Sequence, residues 1–227
     1  VWIGADLSHD DSLDTLAGVG RVDAIVHTAY VQRGPALAAV TAEAPGRIAA
    51  LAAAQGAHLV HLSSDVVFAG RDEPYTESDP PDPVHEYGLA KATAERLVQA
   101  SGADALIVRT SLLYARWHDA DTGPQEALAA DPSVRFFTDE VRCPAAADDV
   151  AAGILAALAA RAVGMWHLVG VDPVDRLTFA RLLAERRGLD SSRLHGGPAP
   201  EGGPPRPGRL VLRSRTPLPG ALEVLGR

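Results

Sequence analysis

Two short stretches carry residues whose types and spacing suit proton transfer. Ser63-Ser64-Asp65 follows the apolar run His58-Leu59-Val60-His61-Leu62, and Tyr87-Gly88-Leu89-Ala90-Lys91 opens a stretch of helical character. Residues four apart on a helix emerge from one face about a turn from each other, so the Tyr87 phenol and the Lys91 ammonium can address one ligand. A strand ending at Ser64 delivers that hydroxyl to the carboxyl edge of a parallel sheet, where open α/β sheets hold ligands. A free tyrosine has a pKa of about 10 and is a poor acid or base at neutral pH unless a cation stabilises its phenolate. Lys91 is spaced to be that cation. With Ser64 donating to a carbonyl oxygen, Tyr87 can hand that oxygen a proton while a cofactor delivers hydride to the carbon. The ammonium can also bind a ribose hydroxyl. Taken alone, a Tyr-x-x-x-Lys spacing says little, because both residues are common on helices. The Ser-Ser-Asp at a strand end, the single long loop between the two stretches and Gly88 directly after the tyrosine add the weight.

The elements that must position these groups can be read along the chain. Residues 1–5 read as a short strand. Residues 11–19 read as a helix, with Asp10 or Asp11 as cap and Leu13 and Leu16 on its buried face. A buried strand over 23–30 precedes an alanine-rich helix over 35–55, closed by Gly56. The next strand covers 57–63, and a loop rich in Gly, Pro, Asp and Glu runs over 69–86. A helix over 87–100 carries Tyr87 and Lys91, and an apolar strand follows over 105–114. Beyond it, residues 117–132 are polar with one helical patch, and 133–137 form a small strand. A helix over 148–161, a strand over 165–170, a helix over 178–188 capped by Thr178 and an irregular segment over 196–208 complete the chain. Strand and helix alternate through the first half, which predicts an α/β fold with a Rossmann-like, doubly wound parallel sheet. Residues 1–115 form its core, and 116–227 hold late core elements and a small substrate-binding region.

Composition narrows the function classes. At 227 residues the chain can bury a core without disulfides, and the single Cys143 cannot form an internal bridge, which suits a reducing, cytoplasmic setting. Hydrophobic residues make up 47%, yet no uninterrupted apolar run reaches the roughly 18 residues of a membrane span. The net charge of −8 disfavours a surface for nucleic acid. The opening residues have none of the features of a signal peptide. His27, His58 and His61 lack the helical i, i+4 spacing of a zinc site and read as core or strand-end histidines, so no metal is expected. Asp72, Glu73, Glu77 and Asp79 read as a solvated acidic loop, one member of which could order a sugar. Asp148-Asp149 sit where a helix would be capped, and Arg206-Pro207 reads as part of a surface linker.

Between His61 and Ser111 the sequence resembles the extended short-chain dehydrogenase/reductase family, most of all dTDP-4-dehydrorhamnose reductases. The resemblance is carried by His61-Leu62-Ser63-Ser64-Asp65-Val66-Val67-Phe68-Ala69-Gly70, Pro74-Tyr75-Thr76-Glu77, Asp79-Pro80, Pro83, Tyr87-Gly88, Lys91, Glu95 and Arg109-Thr110-Ser111. It implies that Ser64, Tyr87 and Lys91 are the catalytic Ser/Thr, Tyr and Lys. It further implies that Asp6, Leu7, Ala29 and Tyr30 line the cofactor with Lys91, and that Asp65, Val66 and Arg142 lie on the substrate side, Arg142 facing a diphosphate. The implied reaction is reduction of a 4-keto group on a nucleotide-activated deoxysugar, with NADP or NAD as cofactor and a homodimer as a possible assembly. Two alternatives come with the same fold: a non-catalytic regulatory subunit, and a sugar-nucleotide epimerase or dehydratase.

The chain also departs from that pattern. Val66 stands where the family has Tyr, Leu112 where it has Trp, and Thr41 where Asn is usual. The glycine-rich phosphate turn, with the first two strands of the family, is absent from the sequence, and that turn is what brings backbone amides to a pyrophosphate. In the strand order 3-2-1-4-5-6, the strand over 1–5 and that over 23–30 are separated by two strand positions, a gap of roughly 14 Å that hydrogen bonds cannot span. The expectation is an upstream segment of roughly 45 to 60 residues, the size of a βαβ unit with its connection. Without it, the strand over 1–5 must move or be lost.

Overall fold

The computed structural model describes residues 2–9, 11–115 and 123–226, with the backbone alone for 12–14. Helix α1 (Asp11–Ala17) leads to strand β1 (Ala24–His27), a π-helical segment (Leu37–Glu43), α2 (Ala44–Gln55) and β2 (His58–Ser64). After a single 3₁₀ turn (Asp65–Val67) come α3 (Glu86–Ala100), β3 (Ala105–Thr110), β4 (Leu113–Tyr114), α4 (Pro124–Ala130) and β5 (Arg135–Phe137). The remainder is β6 (Val141–Arg142), β7 (Ala145–Ala146), α5 (Ala147–Ala159), β8 (Gly164–His167), β9 (Val174–Asp175), α6 (Arg176–Arg186), a second 3₁₀ turn (Ser191–Arg193), β10 (His195–Gly197) and α7 (Ala221–Leu225).

The main sheet has the order β1-β2-β3-β8 with every pair parallel. Side chains of successive strand residues point to opposite faces, and the sequence supplies apolar residues to both. Leu59 and Ile107 meet Ile48, Ala49 and Ala52 of α2 and Val98 of α3 on one face. Val60, Leu106 and Val108 meet Val150, Ile154 and Ala157 of α5 on the other. The sheet is therefore covered by helices on both faces, as the alternation of strand and helix predicts. A third cluster built on Tyr114, Phe136, Phe179, Leu183, Leu194 and Leu225 unites α4, α6, α7 and the β5–β10 pair.

Several expectations are corrected. Residues 2–7 form no strand, and Trp2 is fully exposed. The hydrogen bonds within this segment are local: the amides of Ser8 and His9 donate to the Asp6 carboxylate and carbonyl. The helix expected over 35–55 is a π-helical turn joined to α2; it does end at Gly56, whose φ of 66° is the left-handed value glycine permits. Together these make a 19-residue stretch, Leu37–Gln55, long and apolar enough to cross a membrane by length and composition, contrary to the expectation from uninterrupted runs. Its alanines raise the hydropathy, and Ile48, Ala49 and Ala52 spend theirs on the sheet. Helix α6 starts at Arg176 and is capped by Asp175, whose Oδ1 accepts from the amides of Leu177 and Thr178 at 3.0 Å each. Asp148 and Asp149 lie in the first turn of α5, and the cap position is Ala146. Part of the expected irregular segment, Gly196 and Gly197, pairs with β5. Asp10, the side chain of Leu13 and residues 117–122 of the polar stretch lie outside the described residues.

The loop over 69–86 is ordered by the far end of the chain. The amide of Tyr75 donates to Val211 O at 2.8 Å, that of Arg213 to Tyr75 O at 2.8 Å and that of Arg71 to Arg209 O at 3.1 Å. Arg71 lies 4.0 Å over the Tyr75 ring, which stacks on Phe68 at 4.0 Å, and Arg109 lies 4.8 Å from the other side of Phe68. Two of the acidic residues are engaged rather than free. Asp79 accepts from the amide and hydroxyl of Thr76 and from Arg71, which holds its carboxyl down at about 2, and Glu77 faces Arg215 at 3.6 Å.

Candidate active site

Ser64 ends β2, where the chain turns sharply through Asp65–Val67. Its hydroxyl caps that turn, accepting from the Val66 amide at 3.4 Å, and donates to Asp65 Oδ1 at 3.1 Å. Asp65 is buried at 3% exposure, and its other oxygen accepts from the Ser111 hydroxyl at 2.6 Å. Ser111 directly follows β3, so the ends of two adjacent strands converge on one carboxylate.

Helix α3 presents Tyr87 and Lys91. His85 caps it by accepting from the Gly88 amide at 2.9 Å. Gly88 is where α3 crosses the turn after β2: a Cβ there would lie 2.3 Å from Val66 O. Only glycine permits that approach, and it sets the first turn of α3, which carries Tyr87, against the turn that follows Ser64. Tyr87 is flanked by the rings of Tyr30 and His85, with centroids 6.1 and 6.4 Å away. Its phenol is pushed above its ordinary value by burial first, then by Tyr30 and the Asp65 carboxylate. A phenol raised in this way keeps its proton at neutral pH and is a donor.

Lys91 is 3% exposed and donates to the carbonyl of Leu62 at 2.9 Å, with the Tyr30 ring 5.5 Å from Nζ. Burial lowers its pKa to about 8, against an upward pull from Glu95 one turn along α3. Below it, His27 and His61, register partners on β1 and β2, share a hydrogen bond between their Nδ1 atoms at 3.0 Å. Burial and then the nearby Lys91 hold both imidazoles neutral, His27 down to about 4.

The other expected residues are placed as follows. Ala29 and Tyr30 lie exposed just beyond the carboxyl end of β1, and Asp6 is exposed on the N-terminal segment. Leu7 packs against the α2 cluster, and its carbonyl accepts from Arg47 at 2.8 Å. Thr41, fully buried, donates to Val31 O at 2.7 Å and accepts from its amide at 2.8 Å, tying the segment after Tyr30 to the π-helical turn. Val66 is half-buried. Arg142, 5% exposed, turns its guanidinium to backbone: it donates to Val141 O, Gly208 O and Pro207 O at 2.8, 2.6 and 2.8 Å, with Asp65 3.9 Å from its Nε. Arg206 is exposed in a segment without regular structure, as a surface linker predicts, and there it meets Glu140 at 3.4 Å and the face of Phe137.

Sequence reasoning missed the buried polar frame beneath these groups. Glu95 accepts from the Ser63 hydroxyl at 2.6 Å and, bidentate, from Arg109 at 2.9 and 2.8 Å, while Arg109 also reaches Asp79 O at 3.3 Å. Two signals were available: Glu95 lies four residues from Lys91, hence on its helix face, and Arg109 is a charge inside an apolar strand, which demands a partner.

The RmlD substrate binding domain model matches residues 4–214. A probable low-salt glycan biosynthesis reductase of Haloferax volcanii is 37% identical over 161 residues, 68% of this chain. A dTDP-4-dehydrorhamnose reductase of Mycolicibacterium smegmatis is 32% identical over 199 residues, 82% of this chain. The chain spans 54% and 59% of the length of these two relatives. The crystal structure of a dTDP-4-dehydrorhamnose reductase from Bacillus anthracis in complex with NADP superposes with a TM-score of 0.84 at 20% identity, covering 98% of this chain and 85% of that one, a likeness of fold. With a doubly wound sheet and a family match over nearly its whole length, the chain belongs to the RmlD substrate-binding domain family.

Proposed function

We propose that the full-length protein reduces the 4-keto group of a nucleotide-activated deoxysugar with NADPH or NADH, and that Ser64, Tyr87 and Lys91 act at the reacting carbonyl. The observation that carries this reading is the convergence of a strand-end hydroxyl, a protonated phenol and a buried ammonium around Asp65 and Tyr30. The relatives named as reductases support it.

The residues fit the nicotinamide half of the cofactor. Ala29 and Tyr30 offer an exposed ledge at the end of β1. Lys91 spends one donor on Leu62 O, and an ammonium has three, leaving donors for ribose hydroxyls. Asp6 and Leu7 lie toward the adenine side. When bound, the reduced nicotinamide supplies the hydride. Ser64 exchanges its bond to Asp65 for one to the substrate carbonyl, and Tyr87 gives that oxygen its proton. Lys91, kept cationic below about pH 8, stabilises the phenolate left behind. On the substrate side Asp65 orients Ser64, Val66 lines the pocket, and Arg142 holds the 207–208 backbone that closes it.

The test is NADPH oxidation by the full-length protein with a panel of dTDP- and UDP-4-keto sugars, alongside Tyr87→Phe. The expected result is turnover of at least one sugar, lost in the variant while NADPH still binds. Binding of NADPH with turnover of none refutes the reading.

A further inference from the structure

The frame beneath the site contains a carboxylate for which the proposed mechanism has no use. Glu95 is 2% exposed, and its oxygens take three donors, from Ser63 and Arg109, which are themselves 4% and 2% exposed. Consecutive residues of β2 are thereby fastened to consecutive turns of α3. The Leu62 carbonyl takes Lys91, and the Ser63 hydroxyl takes Glu95. Ser64, the next residue, is the expected hydrogen-bond donor to substrate, and Tyr87 lies one turn before Lys91 on α3. We infer that Glu95 is a positioning residue of this site, clamping α3 to the end of β2 and supplying the carboxylate that acts on Lys91, whereas buried Asp65 acts on Tyr87.

The charges around Lys91 give the clamp a second effect. Neutral His27 and His61 face it from β1 and β2, the Tyr30 ring faces it from the loop after β1, and Arg109 approaches from β3 through Glu95 itself. Among these groups Glu95 alone is negative. With it, the buried set holds two cations and one anion; without it, two cations stand uncompensated, and the lysine is the one that can shed its proton. Glu95 therefore keeps Lys91 charged at the pH where the proposed reaction needs it.

Lys91 is the only lysine in this sequence; in the full-length protein carrying isotopically labelled lysine, its side-chain NMR signal is identified by its loss in Lys91→Arg and titrated with the wild-type protein as reference. Glu95→Gln, which preserves shape and the Ser63 contact, should lower the titration midpoint by about one pH unit. An unchanged midpoint overturns the inference. Glu95→Asp keeps the charge but withdraws it by one methylene from Ser63. It should leave the midpoint within a few tenths and lower kcat about tenfold or more with little change in KM, and wild-type kcat in that variant also overturns the inference. The inference rests on the proposed reductase reading, and the two fail differently. Absence of turnover in the wild type would refute the reductase, whereas the NMR midpoint tests Glu95 without any substrate.

Discussion

Replacing Gly88 by alanine tests the geometry that joins strand and helix. Within most helices this change stabilises by about 0.8–1 kcal/mol, because alanine has the better helix propensity. Here the new Cβ would stand 2.3 Å from Val66 O, 3.0 Å from Pro83 Cβ and 3.3 Å from His85 Cε1. Carbon–oxygen contacts normally begin near about 3.3 Å, so the first turn of α3 and the turn after β2 must separate by about 1 Å. Overpacking of this kind costs about 1–3 kcal/mol, which outweighs the propensity gain and leaves a net loss of about 1 kcal/mol. For a domain of this size that is a fall of about 2–4 °C in Tm. The same displacement moves the turn of α3 that carries Tyr87 away from the turn after Ser64, and about 1 Å of misplacement at the proposed reacting centre costs about a hundredfold in kcat. Thermal denaturation followed by circular dichroism reads the first effect, and NADPH oxidation reads the second. A variant at least as stable as the parent, with kcat unchanged, would show that the close crossing at Gly88 does not position the tyrosine.

Three further outcomes are expected. Tyr87→Phe should lower kcat at least about a hundredfold, the usual worth of a general acid, with NADPH affinity measured by fluorescence titration unchanged. His27 sits at about 4 in the fold, against an ordinary value of 6.5, because burial and then Lys91 disfavour its charge. Above pH 6.5 neither state carries the proton, and between 6.5 and 4 only the unfolded chain binds it. Stability should therefore fall by up to about 3 kcal/mol as pH drops through that window, and His27→Asn should flatten that slope in urea midpoints measured from pH 7 to 5. Arg142→Ala removes three bonds to backbone carbonyls and the cation facing Asp65 and Glu140. It should cost about 3 kcal/mol in urea unfolding, and a weakened sugar-nucleotide affinity without that loss would return Arg142 to the diphosphate.

Ser64, Tyr87 and Lys91 could be read from the sequence because each lies on an element whose own period places it: the end of an apolar strand, and two positions four apart on a helix. Glu95, Ser63 and Arg109 could not be joined in the same way. Their meeting depends on the register of β2 with β3, where Ser63 stands opposite Arg109, and a register between strands far apart in sequence has no local signature. The surroundings of Tyr87 were out of reach for a related reason. Spacing shows that Lys91 is near, but not that one of its donors goes to Leu62 O or that burial and Asp65 push the phenol upward. The strand expected over 1–5 shows the limit of propensity: residues 2–5 carry apolar types but take no strand, because strand formation depends on tertiary context that local sequence does not state.

The order of the main sheet also sets a timetable. Strands β1, β2 and β3 meet through helical crossovers, but β3 must wait for β8, its parallel neighbour, while among the described residues four short strands and two helices intervene. Closing so long a loop is entropically slow. The segment that Arg142 fastens, at Pro207 and Gly208, and the strand-like pairing of Tyr75 with Leu212 come later still in the chain. During synthesis the Ser64–Tyr87–Lys91 half of the site can therefore form while its substrate side is still being made. The nascent protein then has its proposed proton-transfer groups assembled while the edge of β3 that pairs with β8 and the sheet face that α5 covers are still open, and that is the stage at which a chaperone would find apolar surface to hold.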